Sequence, residues 1–97
     1  MEKKYRLLEN DTIRVDGRTL HRIESLRDFV GVKKGYKGGY VESEDNLSHE
    51  GNCWVFGNAF VCGNARVYGD AWVYGYALVC GNAKVREGNI SSGVIEN

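Results

Sequence analysis

Imidazole is the side chain that exchanges protons near neutral pH, and this chain carries two, His21 and His49. His21 alternates within a strand-like run and reads as an ordinary half-buried residue. His49 lies where about two extra residues interrupt a repeat. That is the better position for a site, but no second catalytic group accompanies it. Cys53, Cys62 and Cys80 are odd in number and lack metal-ligand spacing, so neither a zinc site nor a disulfide framework is indicated. No metal and no cofactor is expected. Two sets of residues with binding chemistry remain. Arg66, Tyr68, Lys84 and Arg86 could meet phosphates or an acidic partner. Trp54, Phe56, Trp72 and Tyr74, with Phe60 and Leu78, could stack a base or anchor an oligomer interface.

These residues are positioned by a repeat. Valines stand at 55, 61, 67, 73, 79 and 85, and a small residue recurs in the same period at Cys53, Ala59, Ala65, Ala71, Ala77 and Ala83. A six-residue period fits neither a helical turn nor long simple alternation, but it does fit a short strand and a corner. Valine suits the pleated surface, and the Gly-Asn and Gly-Asp pairs suit the corners. Three hexads would close a triangle of 18 residues with valine inside. The chain therefore reads as all-β, a short parallel β-helix of about three coils spanning residues 41–90.

Stacked coils place residues 18 apart above one another at about 4.8 Å, the ordinary spacing between strands. The outward positions then sort into three walls. Trp54 and Phe56 lie beneath Trp72 and Tyr74, Phe60 and Cys62 beneath Leu78 and Cys80, and Arg66 and Tyr68 beneath Lys84 and Arg86. Two adjacent apolar walls exceed what a monomer usually leaves in water, so either residues 1–40 fold over one of them or a second chain does. Cys62 and Cys80 come within disulfide range, but as cytoplasmic thiols they are expected to be reduced. Cys53 belongs to the core, and Asn64 should stack on Asn82 at a corner.

Residues 1–40 are read as a cap that covers the exposed strand edges of the first coil. Thr12–Val15 and Arg18–Ile23 flank Asp16-Gly17, a strong signal for a β-hairpin with a type I′ turn. A further strand is expected around Tyr5–Leu8, and a short helical turn within 24–34. Val41 and Leu47 open the repeats irregularly, with about two extra residues bulging near His49 and Glu50. Glu42, Glu44, Asp45 and Glu50 read as a solvated acidic edge. Residues 91–97 are either a final half-coil or a tail packed over the open end.

The 97 residues make one small domain. Its 13 basic and 13 acidic residues cancel, which argues against a nucleic-acid binder dominated by phosphate contacts. With no long apolar run and no signal-peptide pattern, a cytoplasmic protein away from membranes is expected.

The aliphatic position followed four residues later by a small one resembles the hexapeptide-repeat, left-handed β-helix family. The resemblance implies the left hand, and also a homo-oligomer, with a trimer favoured, packed along flat faces. The family includes acyltransferases that use a histidine as general base between subunits, but this chain has neither the extra loop nor the number of coils they need. The order Arg18-Thr-Leu-His-Arg-Ile23, Leu26-Arg-Asp-Phe29, Gly38-Gly-Tyr-Val-Glu-Ser-Glu-Asp-Asn-Leu-Ser48 and Glu50-Gly-Asn-Cys-Trp-Val55 looks like small hexapeptide-repeat proteins of phages and prophages. That likeness implies a non-catalytic binding protein in the host cytoplasm that blocks or sequesters a host protein or a nucleotide signal. The alternatives are a self-assembling filament or virion-associated protein and, behind that, a hexapeptide acyltransferase.

Overall fold

The computed structural model describes residues 3–29, 31–91 and 93–96. Among these residues eleven strands follow one another: β1 (Tyr5–Val15), β2 (Arg18–Ser25), β3 (Lys37–Val41), β4 (Trp54–Val55), β5 (Phe60–Val61), β6 (Arg66–Val67), β7 (Trp72–Val73), β8 (Leu78–Cys80), β9 (Lys84–Val85), β10 (Asn89–Ile90) and β11 (Val94–Glu96). A 3-10 turn covers Glu44–Asn46. From β3 onward the strands wind a solenoid of about three turns with three parallel walls: β3-β5-β8-β11, β4-β7-β10 and β6-β9.

Register explains why the hexads close into a triangle. Trp54 pairs with Trp72, Phe60 with Leu78 and Arg66 with Lys84, each eighteen positions apart. Val55, Val61, Val67, Val73 and Val79 are completely buried, and alanines 59, 65, 71, 77 and 83 fill the lumen beside them. Corners need left-handed backbone. Gly69 has φ +65°, and an added Cβ there would lie 2.5 Å from the Arg86 carbonyl oxygen, so a side chain is excluded twice over.

The first coil is longer than the rest. Tyr40 pairs with Phe60 and Leu47 bridges to Val67, both twenty positions apart, so the two extra residues fall in the corner between Leu47 and Trp54. At the other end the offset shrinks. Asn89 pairs with Trp72 and Val94 with Leu78, and the chain after Val85 thus continues as a further half-coil. Ser92 and Asn97 of that stretch lie outside the described residues.

The hairpin forms as expected. Asp16 and Gly17 both have positive φ, as a type I′ turn requires. β1 is one long strand with an irregularity between Leu7 and Thr12. β2 pairs antiparallel with β3, so the hairpin extends one wall of the solenoid into a six-stranded sheet. A second apolar cluster covers the outer side of this sheet. Leu20, Tyr40 and Cys62 are buried there, with Ile13, Val15, Phe60, Leu78 and Cys80 packed against them.

Two expectations are corrected. The described residues of 24–34 form no helical turn. Instead, Phe29 and Val32 exchange backbone hydrogen bonds in a tight antiparallel bridge, Leu26 N–H donates to Lys4, and Gly35 N–H donates to Ser25. Extended pairing takes the backbone groups a helix would need. Val30 lies outside the described residues. The second correction concerns Trp54. It shares the outer face of its wall with Trp72 but is 0% exposed, because the cap closes over it. Tyr5 and Phe29 meet its indole edge-on, with centroids at 6.1 and 5.3 Å. Gly38 runs so close beneath that an added Cβ would lie 2.9 Å from the indole nitrogen. A fully buried side chain offers nothing to a partner.

Candidate partner-binding surfaces

The alternation that buries Val67 and Val85 forces Arg66 and Lys84 outward on adjacent strands, one directly over the other. Both are exposed, and among the described residues neither has an acidic group within ion-pair distance. Tyr68 is half-buried in the same wall, and Arg86 stands above it, 3.9 Å from Glu87. Like charges directly opposite on neighbouring strands repel each other.

This ladder borders a groove of about 570 Å³. Arg66, Tyr68 and Lys84 form one side; Glu44, Asp45, Ser48 and His49 form the other. The far side is the first coil's own layer of this wall, where Leu47 bridges to Val67 and Ser48 N–H donates to the Val67 carbonyl at 2.9 Å just after the 3-10 turn. Asn46 fixes that turn. Its Oδ1 accepts from Glu42 and Ser43 N–H at 3.0 and 2.8 Å, and its Nδ2 donates to the Gly63 and Ala65 carbonyls at 3.2 and 2.8 Å. Nothing in the repeat pattern singled out Asn46. The available signal was the Ser43-Glu-Asp-Asn46 capping box.

His49 is held on every side. Its Nδ1 accepts the Lys4 backbone N–H at 3.0 Å, so the neutral ring carries its proton on Nε2, which lies 2.8 Å from Glu44 Oε1. The ring stacks on Tyr5, with centroids 4.2 Å apart and planes at 14°. The hydrogen bond from His49, assisted by Lys3, holds the Glu44 carboxyl below its ordinary pKa. With Nδ1 accepting and Nε2 donating, the imidazole has no lone pair to serve as a base. His21 is half-buried on β2, where Nδ1 lies 3.2 Å from the Leu8 carbonyl oxygen.

The acidic edge does more than face water. Glu42 accepts from Arg18 at 3.0 Å and from the Gly63 N–H at 2.7 Å, tying the hairpin to the second coil. Glu44 ties Lys3 to His49.

On the aromatic wall, Phe56 packs on Trp72 at 5.2 Å and meets Tyr36 of the cap at 6.2 Å. Trp72 donates its indole N–H to the Asn52 carbonyl at 2.9 Å. With Tyr74 and Asn89, Phe56 and Trp72 line a shallow depression of about 430 Å³. Phe60 and Leu78 lie half-buried on the neighbouring wall. Cys62, which directly follows β5, and Cys80 at the end of β8 are free thiols, and Asn64 donates to Asn82 at 3.3 Å. No helix among the described residues is long and apolar enough to cross a membrane.

No family model matches the chain. It is 36% identical over 81 residues to a protein of Escherichia coli (strain K12) named "Uncharacterized acetyltransferase YdcK". The match covers 69% of this chain, which spans about a quarter (25%) of that relative's length. Together, the β-solenoid and this similarity fit a hexapeptide-repeat β-helix.

Proposed function

We propose that this chain is a non-catalytic binding protein that self-associates through its aromatic wall and accepts an anionic partner on the Arg66–Lys84 ladder. The observation that carries the reading is the stacked pair of cations. Two unneutralised like charges on adjacent strands oppose folding, and a bound phosphate or carboxylate between them would turn that repulsion into paired, charge-assisted hydrogen bonds. The groove beside the ladder supplies Tyr68 for stacking and Ser48 for hydrogen bonding. Phe56, Trp72 and Tyr74, with Phe60 and Leu78, supply apolar area for a homo-oligomer, in which a trimer is favoured. A host protein or a nucleotide signal is the partner that the resemblance to phage and prophage repeat proteins implies. A thermal-shift panel of nucleotides and acidic peptides, read with native mass spectrometry, tests this. A ligand that raises the melting temperature of the wild type but not of Arg66→Glu supports it, and a panel without effect removes it.

Acyl transfer is the second reading, favoured by the name of the Escherichia coli relative. Against it stands His49, whose two ring nitrogens are both engaged. Incubation with acetyl-CoA and amine acceptors separates the readings. Turnover that is lost in His49→Ala but kept in Arg66→Glu would replace the binding proposal.

A further inference from the structure

Lys4 is fully buried, and its ammonium group reaches the start of the solenoid. Nζ donates to the Cys53 carbonyl at 2.7 Å and the Gly51 carbonyl at 3.3 Å, lies 3.4 Å from Cys53 Sγ, and sits 4.9 Å from the Phe29 ring centroid. Cys53 is equally sealed and occupies the slot that every later hexad fills with alanine. The departure from alanine thus falls where a buried amine touches the side chain. The two carbonyls take two of the three Nζ–H donors and the Cys53 sulfur accepts the third, which holds amine and sulfur in direct contact.

We propose that Lys4 and Cys53 are an oxidant-responsive pair that closes into a covalent nitrogen–sulfur bond, locking the cap onto the first coil. Hydrogen peroxide is the oxidant and enters by local opening of the corner loop. It converts the Cys53 thiol to a sulfenic acid: an S–O bond forms, the peroxide O–O bond breaks and one water leaves. The neutral Lys4 amine then attacks sulfur, the S–O bond breaks, and the hydroxyl departs with one amine proton as a second water. One amine, one thiol and one peroxide give one sulfenamide and two waters, with the thiol as the two-electron reductant. Burial lowers the pKa of Lys4 and raises that of Cys53, so the pair rests as amine beside thiol; Lys4 accepts the thiol proton as the sulfur attacks peroxide, and that proton leaves with the first water, restoring the neutral amine that the second step needs.

Peroxide treatment followed by non-reducing digestion and tandem mass spectrometry tests the pair. We expect one joined peptide containing positions 4 and 53, lighter than its two parts by about 2 Da and released by dithiothreitol. A Cys62–Cys80 disulfide would lighten the intact protein equally, so the assignment rests on the joined peptide. Cys53→Ala, which fills the slot as the other hexads do, and Lys4→Met should each abolish it. Recovery of Cys53 only as thiol, sulfenic or sulfinic acid, with Lys4 unjoined, overturns the proposal.

Discussion

Trp54 and Trp72 are register partners on adjacent parallel strands, yet Trp54 is sealed from solvent and Trp72 is only half-buried. The difference is the cap. Tyr5 and Phe29 cover the first rung of the aromatic wall and leave the second open.

The two tryptophans should therefore fail in different ways. Trp54→Ala is expected to destabilise the fold by about 3–5 kcal/mol, the usual range for emptying a large buried aromatic site. Trp72→Ala should leave a folded chain that self-associates more weakly than Tyr68→Ala. Denaturant melts and sedimentation of the three variants decide it, and equal oligomer mass for Trp72→Ala and Tyr68→Ala would refute the aromatic wall as the interface.

The lumen around Val67 is apolar, with Leu47 bridged to it on one side and Val85 paired with it on the other. Val67→Asp should unfold the domain, since an unpaired carboxylate there costs more than about 4 kcal/mol. Circular dichroism of the variant checks this, and a cooperative melt near that of the wild type would contradict the triangular core.

The cation ladder makes an unusual prediction for a binding residue. Arg66→Glu replaces a repelling pair with an attracting one, so the protein should gain about 0.2–1 kcal/mol of stability while losing affinity for an anionic partner. Opposite movement of melting temperature and binding marks a functional ladder. A variant that keeps full binding shows the wall to be inert.

Acid should loosen the cap. The carboxyl of Glu44 is held below its ordinary value of 4.5 by the His49 hydrogen bond and by Lys3, so the folded state favours the charged form. The stability it contributes is fully present above pH 4.5 and is lost as pH falls through the depressed folded value. Glu44→Gln should remove that acid-dependent part, and tryptophan fluorescence against pH, reporting Trp54 beneath the cap, follows it. Identical acid profiles for both proteins would show that the pair does not hold the cap.

The repeat, the valine lining and the Asp16-Gly17 hairpin could be read from the chain because each is a local rule. Period, β-branching and turn chemistry act within a few residues, and stacking them eighteen apart placed Arg66 under Lys84 and Phe60 under Leu78 before any coordinates. The same arithmetic set Trp54 on an outer wall correctly and misjudged its exposure, because burial depends on what lies across the wall.

What only the tertiary structure decided involves residues some forty or more positions apart. The register sends Lys4 to Cys53 and Tyr5 to His49, turning the charged and mixed start of the cap into a buried anchor. It also engages both nitrogens of the histidine that looked best placed for chemistry. A solenoid's interior follows from its own period, whereas its ends have no repeat above or below them. Their contacts are chosen by whichever distant segment satisfies the unpaired strand edges, and no local pattern encodes that choice.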